Sequence, residues 1–172
     1  MARQNGKTTL LAGIGIYMLS GDGEPGSEVY RAATKKDQAR IMHSEAVRMV
    51  RKSPELSKSL QTFRNNISDP SNESKYEPLG ADSKTMDGLN VHCALIDELH
   101  AHPDGSLYNI LSTGTGARTS PLVIAITTAG DDEQSFCHAQ RDYLEALLRG
   151  HIEDETFFGL VFSLDEGDDW RN

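Results

Sequence analysis

Two continuous apolar runs constrain this 172-residue chain more than any other feature. Val91-His92-Cys93-Ala94-Leu95-Ile96 and Pro121-Leu122-Val123-Ile124-Ala125-Ile126 are both of strand length, and neither alternates apolar with polar residues. A strand with one wet face would alternate. Both runs therefore read as strands buried on two faces, which predicts an α/β fold: a mainly parallel sheet with helices on both sides. The first run ends in Asp97-Glu98 and the second in Thr127-Thr128-Ala129-Gly130. Ligands of open parallel sheets bind beyond the carboxyl ends of the strands, so these polar ends are expected along one functional edge.

Asn5-Gly6-Lys7-Thr8 matches the second half of a phosphate-binding loop, G-x-x-x-x-G-K-[ST], whose backbone N–H groups and lysine hold nucleotide phosphates. The first glycine of that pattern would fall on Met1, so the loop is a variant or the chain has been cut. Thr8 to Ser20 reads as a helix with Leu10, Leu11, Ile14 and Met18 as its apolar stripe. Gly13 and Gly15 each cost about 1 kcal/mol there relative to alanine, which implies close approach to a sheet or another backbone. A Gly-rich loop, Gly21 to Gly26, precedes a strand from Glu28 to Ala33. Lys35 to Lys52 is an amphipathic helix with Ala39, Ile41, Met42, Ala46, Val47 and Val50 on its buried side and Thr34 as its cap. Ser53 to Asn90 predicts short strands and turns, Tyr108 to Leu111 part of a helix, Gln134 to Arg149 a further helix, and Glu155 to Leu164 a last strand.

Composition narrows the setting. No apolar run approaches the ~18 residues of a membrane span, the start lacks a signal peptide, and Cys93 and Cys137 lie far apart, so a cytosolic protein with reduced thiols is expected. A net charge of -9 argues against a self-sufficient DNA-binding face. Arg31, Lys35, Lys36, Arg40, Arg48, Arg51, Lys52 and Lys58 do cluster, and read as a solvated helix face.

Lys7 is suited to neutralise terminal phosphates, and the Thr8 hydroxyl to serve Mg²⁺, which demands hard oxygen ligands. Asp97 would fix that ion directly or from its outer shell, Glu98 would polarise an attacking water, and Thr128 could bond the terminal phosphate or that water. A zinc hydrolase is the weaker reading of the same region. His92, His100 and His102 flank Asp97 and Glu98, but Glu-Leu-His-Ala-His is not the helical H-E-x-x-H arrangement.

Asn5-Gly6-Lys7-Thr8, Leu95-Ile96-Asp97-Glu98, Ala117-Arg118, Ile126 to Gly130, and the tail Leu164-Asp165-Glu166-Gly167-Asp168-Asp169-Trp170 together resemble the large terminase subunit of tailed bacteriophages. The resemblance implies a P-loop NTPase of the ASCE type over residues 1–164, lacking its first strand, with 165–172 starting a linker to a nuclease domain. It implies ATP and Mg²⁺ as cofactors. Arg3, Asn5, Gly6, Lys7, Thr8 and Thr9 would form the nucleotide loop, Thr8 and Asp97 the metal corner, and Glu98, Arg118 and Thr128 the catalytic set. Double-stranded DNA, a portal protein, a small terminase subunit and a ring of copies in the host cytoplasm would be the partners. Two alternatives stay open: a catalytically weak fragment that serves only in assembly, and a helicase-like DNA translocase.

Overall fold

The computed structural model describes residues 6–81, 86, 88–128, 130 and 132–163. Its six-stranded sheet runs β2-β3-β4-β1-β5-β6. The elements are α1 (Lys7–Ser20), β1 (Glu28–Ala33), α2 (Lys36–Lys52), α3 (Pro54–Ser59), β2 (Gln61–Thr62), β3 (Ile67–Asp69), β4 (Ser74–Gly80), β5 (Val91–Asp97), α4 (Ser106–Thr113), β6 (Leu122–Ile126) and α5 (Phe136–Leu148), with a 3-10 turn at Leu99–Ala101. Strands β4, β1, β5 and β6 are parallel, and β2 and β3 extend the sheet antiparallel beyond β4. The expected α/β class is what the molecule adopts.

Pleating sorts the strand residues between two cores. Val29, Cys93 and Leu95 pack with Leu11, Ile16, Leu19, Ala46 and Val50 beneath α1 and α2. Tyr30, Ala32, Ala94 and Ile96 pack on the other face with Leu99, Leu107 and Leu111. Strand β5 is buried along its whole length, as its unbroken apolar run implies. Strand β6 departs from that expectation. It pairs only with β5 among the described residues and is half-exposed.

Gly15 explains how close α1 lies to the sheet. A methyl group on its Cα would stand 2.8 Å from Leu95 Cδ1 and 3.0 Å from the Tyr76 ring. Gly13 meets nothing within 4 Å, so close approach accounts for only one of the two helix glycines. Several sequence expectations are corrected. Leu10 and Ile41 are exposed, not core, because each falls on the outer side of its helix. Thr34 does not cap α2: its hydroxyl bonds the Gln38 side chain, and Lys35 occupies the cap position. The last strand does not form over the described residues 155–163. That segment folds back on α5 instead, with the Phe157 ring edge-on to Tyr143 and Gly159 against Leu144.

Strand order places the chemistry. From β1 the chain goes to β4 on one side and then to β5 on the other, so the connections diverge between β1 and β5. A crevice opens at such a switch point beyond the carboxyl ends. The amino end of α1 sits there.

Candidate active site

Gly6 takes φ 72°, a left-handed conformation that glycine adopts without Cβ strain, and its carbonyl accepts from Leu10 N–H in the first turn of α1. This turn delivers Lys7 and Thr8 to the end of β5. Lys7 Nζ lies 3.4 Å from Glu98 Oε1, and the Thr8 hydroxyl donates to Asp97 Oδ2 at 3.5 Å. Lys7 and Asp97 are almost fully buried, whereas Glu98 keeps access to water. The expected convergence across the chain is therefore present.

Glu98 itself adopts φ 50°, ψ 55°, an uncommon conformation for a residue with a side chain. It ends β5 abruptly and turns the carboxylate aside from the strand. Its backbone N–H donates to Asp97 Oδ1 at 3.0 Å, which fixes the two acids relative to each other. Residues held this way cluster at active sites.

The end of β6 closes the group. The Thr128 hydroxyl donates to Glu98 Oε2 at 3.5 Å. Thr127 Oγ1 lies 2.9 Å from His100 Nδ1 and accepts from the His100 N–H at 3.1 Å. His100 Nδ1 is also 3.4 Å from Glu98 Oε2, so the imidazole bridges the acidic strand end to the threonine strand end. Sequence reasoning weighed His100 only as a zinc ligand and missed this role; its position two residues past Glu98 was the available signal. Of the flanking histidines, His92 Nε2 bonds Asp22 at 2.8 Å, while the His102 imidazole lies against the Asp97 backbone and is pushed below its ordinary pKa by burial.

Arg31 was also missed. It is fully buried in β1, and its Nη2 donates to Asp97 Oδ2 at 2.9 Å. A charge inside the otherwise uncharged run Val29-Tyr30-Arg31-Ala32-Ala33 was the signal, obscured by counting Arg31 among surface cations. His43 lies nearby on the buried side of α2, edge-on to Tyr76 at 5.2 Å. Burial first, and the Arg31 charge second, lower its pKa to about 4.

The remaining expected residues sort differently. Thr9 is exposed on the outer side of α1, beside a shallow groove lined by Leu10, Gly13, Ile14 and Tyr17. Arg3 and Asn5 lie outside the described residues. Arg118 is not brought to the cluster. Its guanidinium donates to the carbonyls of Asn90, Pro25 and Gly26 and pairs with Glu24. Asn90 precedes β5, and seven steps of ~3.3 Å each separate it from Asp97, so Arg118 sits at the opposite end of the strands.

The family model for the terminase large subunit, ATPase domain, matches residues 1–146. The chain is 43% identical over 86 residues to protein YmfN of Escherichia coli K12, an overlap of 50% of this chain and 19% of YmfN. It is 33% identical over 134 residues to the terminase large subunit of Enterobacteria phage HK97, covering 74% of this chain and 26% of that protein. The crystal structure of the HK97 large terminase superposes with a TM-score of 0.76 at 26% identity, over 88% of this chain and 32% of that one. The large terminase ATPase domain of Thermus phage P74-26 shares the fold, with a TM-score of 0.60 at 20% identity over 76% and 58% of the two chains. The chain thus spans about a quarter or less of the length of these curated relatives. With most of its residues matched, it belongs to the family of terminase large subunit ATPase domains.

Proposed function

We propose that this chain binds Mg²⁺–ATP at the amino end of α1 and hydrolyses the terminal phosphate, as the motor part of a machine that packages double-stranded DNA. One observation carries the reading. Lys7 and the Asp97-Glu98 pair, 91 residues apart at Lys7 and Glu98, meet around a crevice at the switch point of the sheet.

The donor set fits magnesium: a threonine hydroxyl and a carboxylate, both hard oxygen groups, meet at Thr8 and Asp97. When bound, the ion supplies charge neutralisation across the phosphates. Lys7 holds the terminal phosphate by charge, aided by the outward-pointing N–H groups of the first turn of α1. Glu98, partly open to water, orients the attacking water and accepts its proton. Thr128 and His100 hold the Glu98 carboxylate in place, and through them the end of β6 registers whether that carboxylate is engaged.

Family membership supports double-stranded DNA as the track, with a portal protein, a small terminase subunit and a ring of copies as partners. Given a net charge of -9, DNA contact would rest on a few basic loops rather than on the whole surface. The test is nucleotide binding by calorimetry with and without Mg²⁺, followed by phosphate release with and without duplex DNA. Mg²⁺-dependent binding and DNA-stimulated release are expected. No nucleotide binding under either condition would refute the reading.

A further inference from the structure

Arg31 has no role in the scheme above, yet it is the largest fully buried side chain among the described residues. It projects from the middle of β1, between Pro78 of β4 and Leu95 of β5 in the strand register, into the layer under α1. Its Nη2 donates to Asp97 Oδ2 at 2.9 Å, and its Nη1 lies 3.4 Å from the Thr8 carbonyl oxygen. Its Nε makes no hydrogen bond among the described residues. The guanidinium thus touches both residues of the metal corner. It also faces the buried Tyr76 hydroxyl, which feels the arginine charge.

We infer that Arg31 is a positioning residue for the cation-bound nucleotide, holding Asp97 against Thr8 before any ligand arrives. The inference rests on the nucleotide reading of this site. Asp97 Oδ2 receives the Arg31 Nη2 and the Thr8 hydroxyl, while Oδ1 receives the Glu98 N–H, so both carboxylate oxygens are already engaged. A carboxylate so occupied acts on an incoming cation through Thr8 and through water rather than as a direct ligand. The pair is also neutral, since the arginine charge cancels the aspartate charge. Without nucleotide, the corner then has little net attraction for a divalent ion, and cation and nucleotide enter together. Arginine suits the position because its planar fork reaches a carboxylate and a carbonyl at once, which a lysine ammonium does not do with the same geometry.

The experiment is titration of the chain with ADP in EDTA and with ADP in excess Mg²⁺, with thermal unfolding recorded for each variant. For Arg31→Lys, the gain in ADP affinity produced by Mg²⁺ is expected to fall about tenfold, with affinity in EDTA within about twofold of wild type. An unchanged Mg²⁺ gain in the folded variant, or equal losses under both conditions, overturns the inference. If Arg31→Lys does not fold, Arg31→Met is combined with Asp97→Asn, which removes both charges. A residue acting only through Asp97 adds nothing once that carboxylate is gone. The pair must therefore show the same Mg²⁺ gain as Asp97→Asn alone, and any further loss overturns the inference. Failure of the wild-type chain to bind ADP at all would instead refute the nucleotide site itself.

Discussion

Lys7 Nζ and Glu98 Oε1 stand 3.4 Å apart, so the buried lysine is paired with the more exposed of the two acids. Under the proposed nucleotide reading, an arriving phosphate competes with that carboxylate for the lysine and frees Glu98 to turn toward water. Replacing Glu98 with glutamine removes the competing negative charge but keeps the shape. ATP affinity is expected to hold or rise several-fold, while phosphate release falls at least about 100-fold, the usual weight of a general base. Fluorescent-nucleotide titration and a phosphate-release assay check this. Release within about tenfold of wild type would remove Glu98 from the chemistry.

The two glycines of α1 give a prediction of opposite signs. A methyl group on Gly15 meets Leu95 Cδ1 at 2.8 Å and Tyr76 at 3.0 Å, so Gly15→Ala forces those packed side chains or the helix to shift and is expected to cost about 1–3 kcal/mol. Gly13 has open space, so Gly13→Ala is expected to stabilise by about 0.5–1 kcal/mol through helix propensity alone. Chemical denaturation of both variants decides it. Shifts of the same sign would contradict the packing described here.

What the sequence made legible follows the strength of each local signal. Strand β5 and its acidic end could be read because a fully buried parallel strand leaves a continuous apolar run and an abrupt polar stop. The placement of Lys7 and Thr8 beside that acidic end could be anticipated because G-K-[ST] at the start of a helix is a short pattern of fixed spacing. Leu10 and Ile41 misled because residue type does not reveal which side of a helix meets the sheet. The segment 155–163 misled for a related reason: strand propensity is satisfied only where a sheet edge is within reach, and this segment packs on α5. Arg31 and His100 escaped because their partners, Asp97 and Thr127, are distant in sequence, and only the fold brings them together.

Arg118 separates a structural from a catalytic role. It is tied to three backbone carbonyls and Glu24 at the far end of the strands from Asp97. Arg118→Ala leaves those acceptors without a donor and is expected to lower stability by about 2 kcal/mol. In a domain of this size the unfolding midpoint would drop by about 6 °C. Nucleotide affinity should remain within about twofold. A large loss of hydrolysis at an unchanged midpoint would point instead to a catalytic arginine acting away from its own site.

His43 predicts how the fold responds to acid. Its ring is buried against Tyr76, both ring nitrogens lack hydrogen-bond partners among the described residues, and its pKa is lowered to about 4 from an ordinary 6.5. Between these values the unfolded chain binds a proton that the folded chain refuses. The stabilisation is therefore complete above pH 6.5 and is lost as pH falls from 6.5 toward 4. At 1.36 kcal/mol per pH unit the loss is at most about 3 kcal/mol, less whatever solvent reaches the ring. His43→Leu removes the titrating group and two unsatisfied nitrogens, so the variant should hold its unfolding midpoint more nearly constant between pH 7 and pH 4.5 than wild type does. Parallel midpoint curves for the two proteins would assign the acid sensitivity to the carboxylates instead.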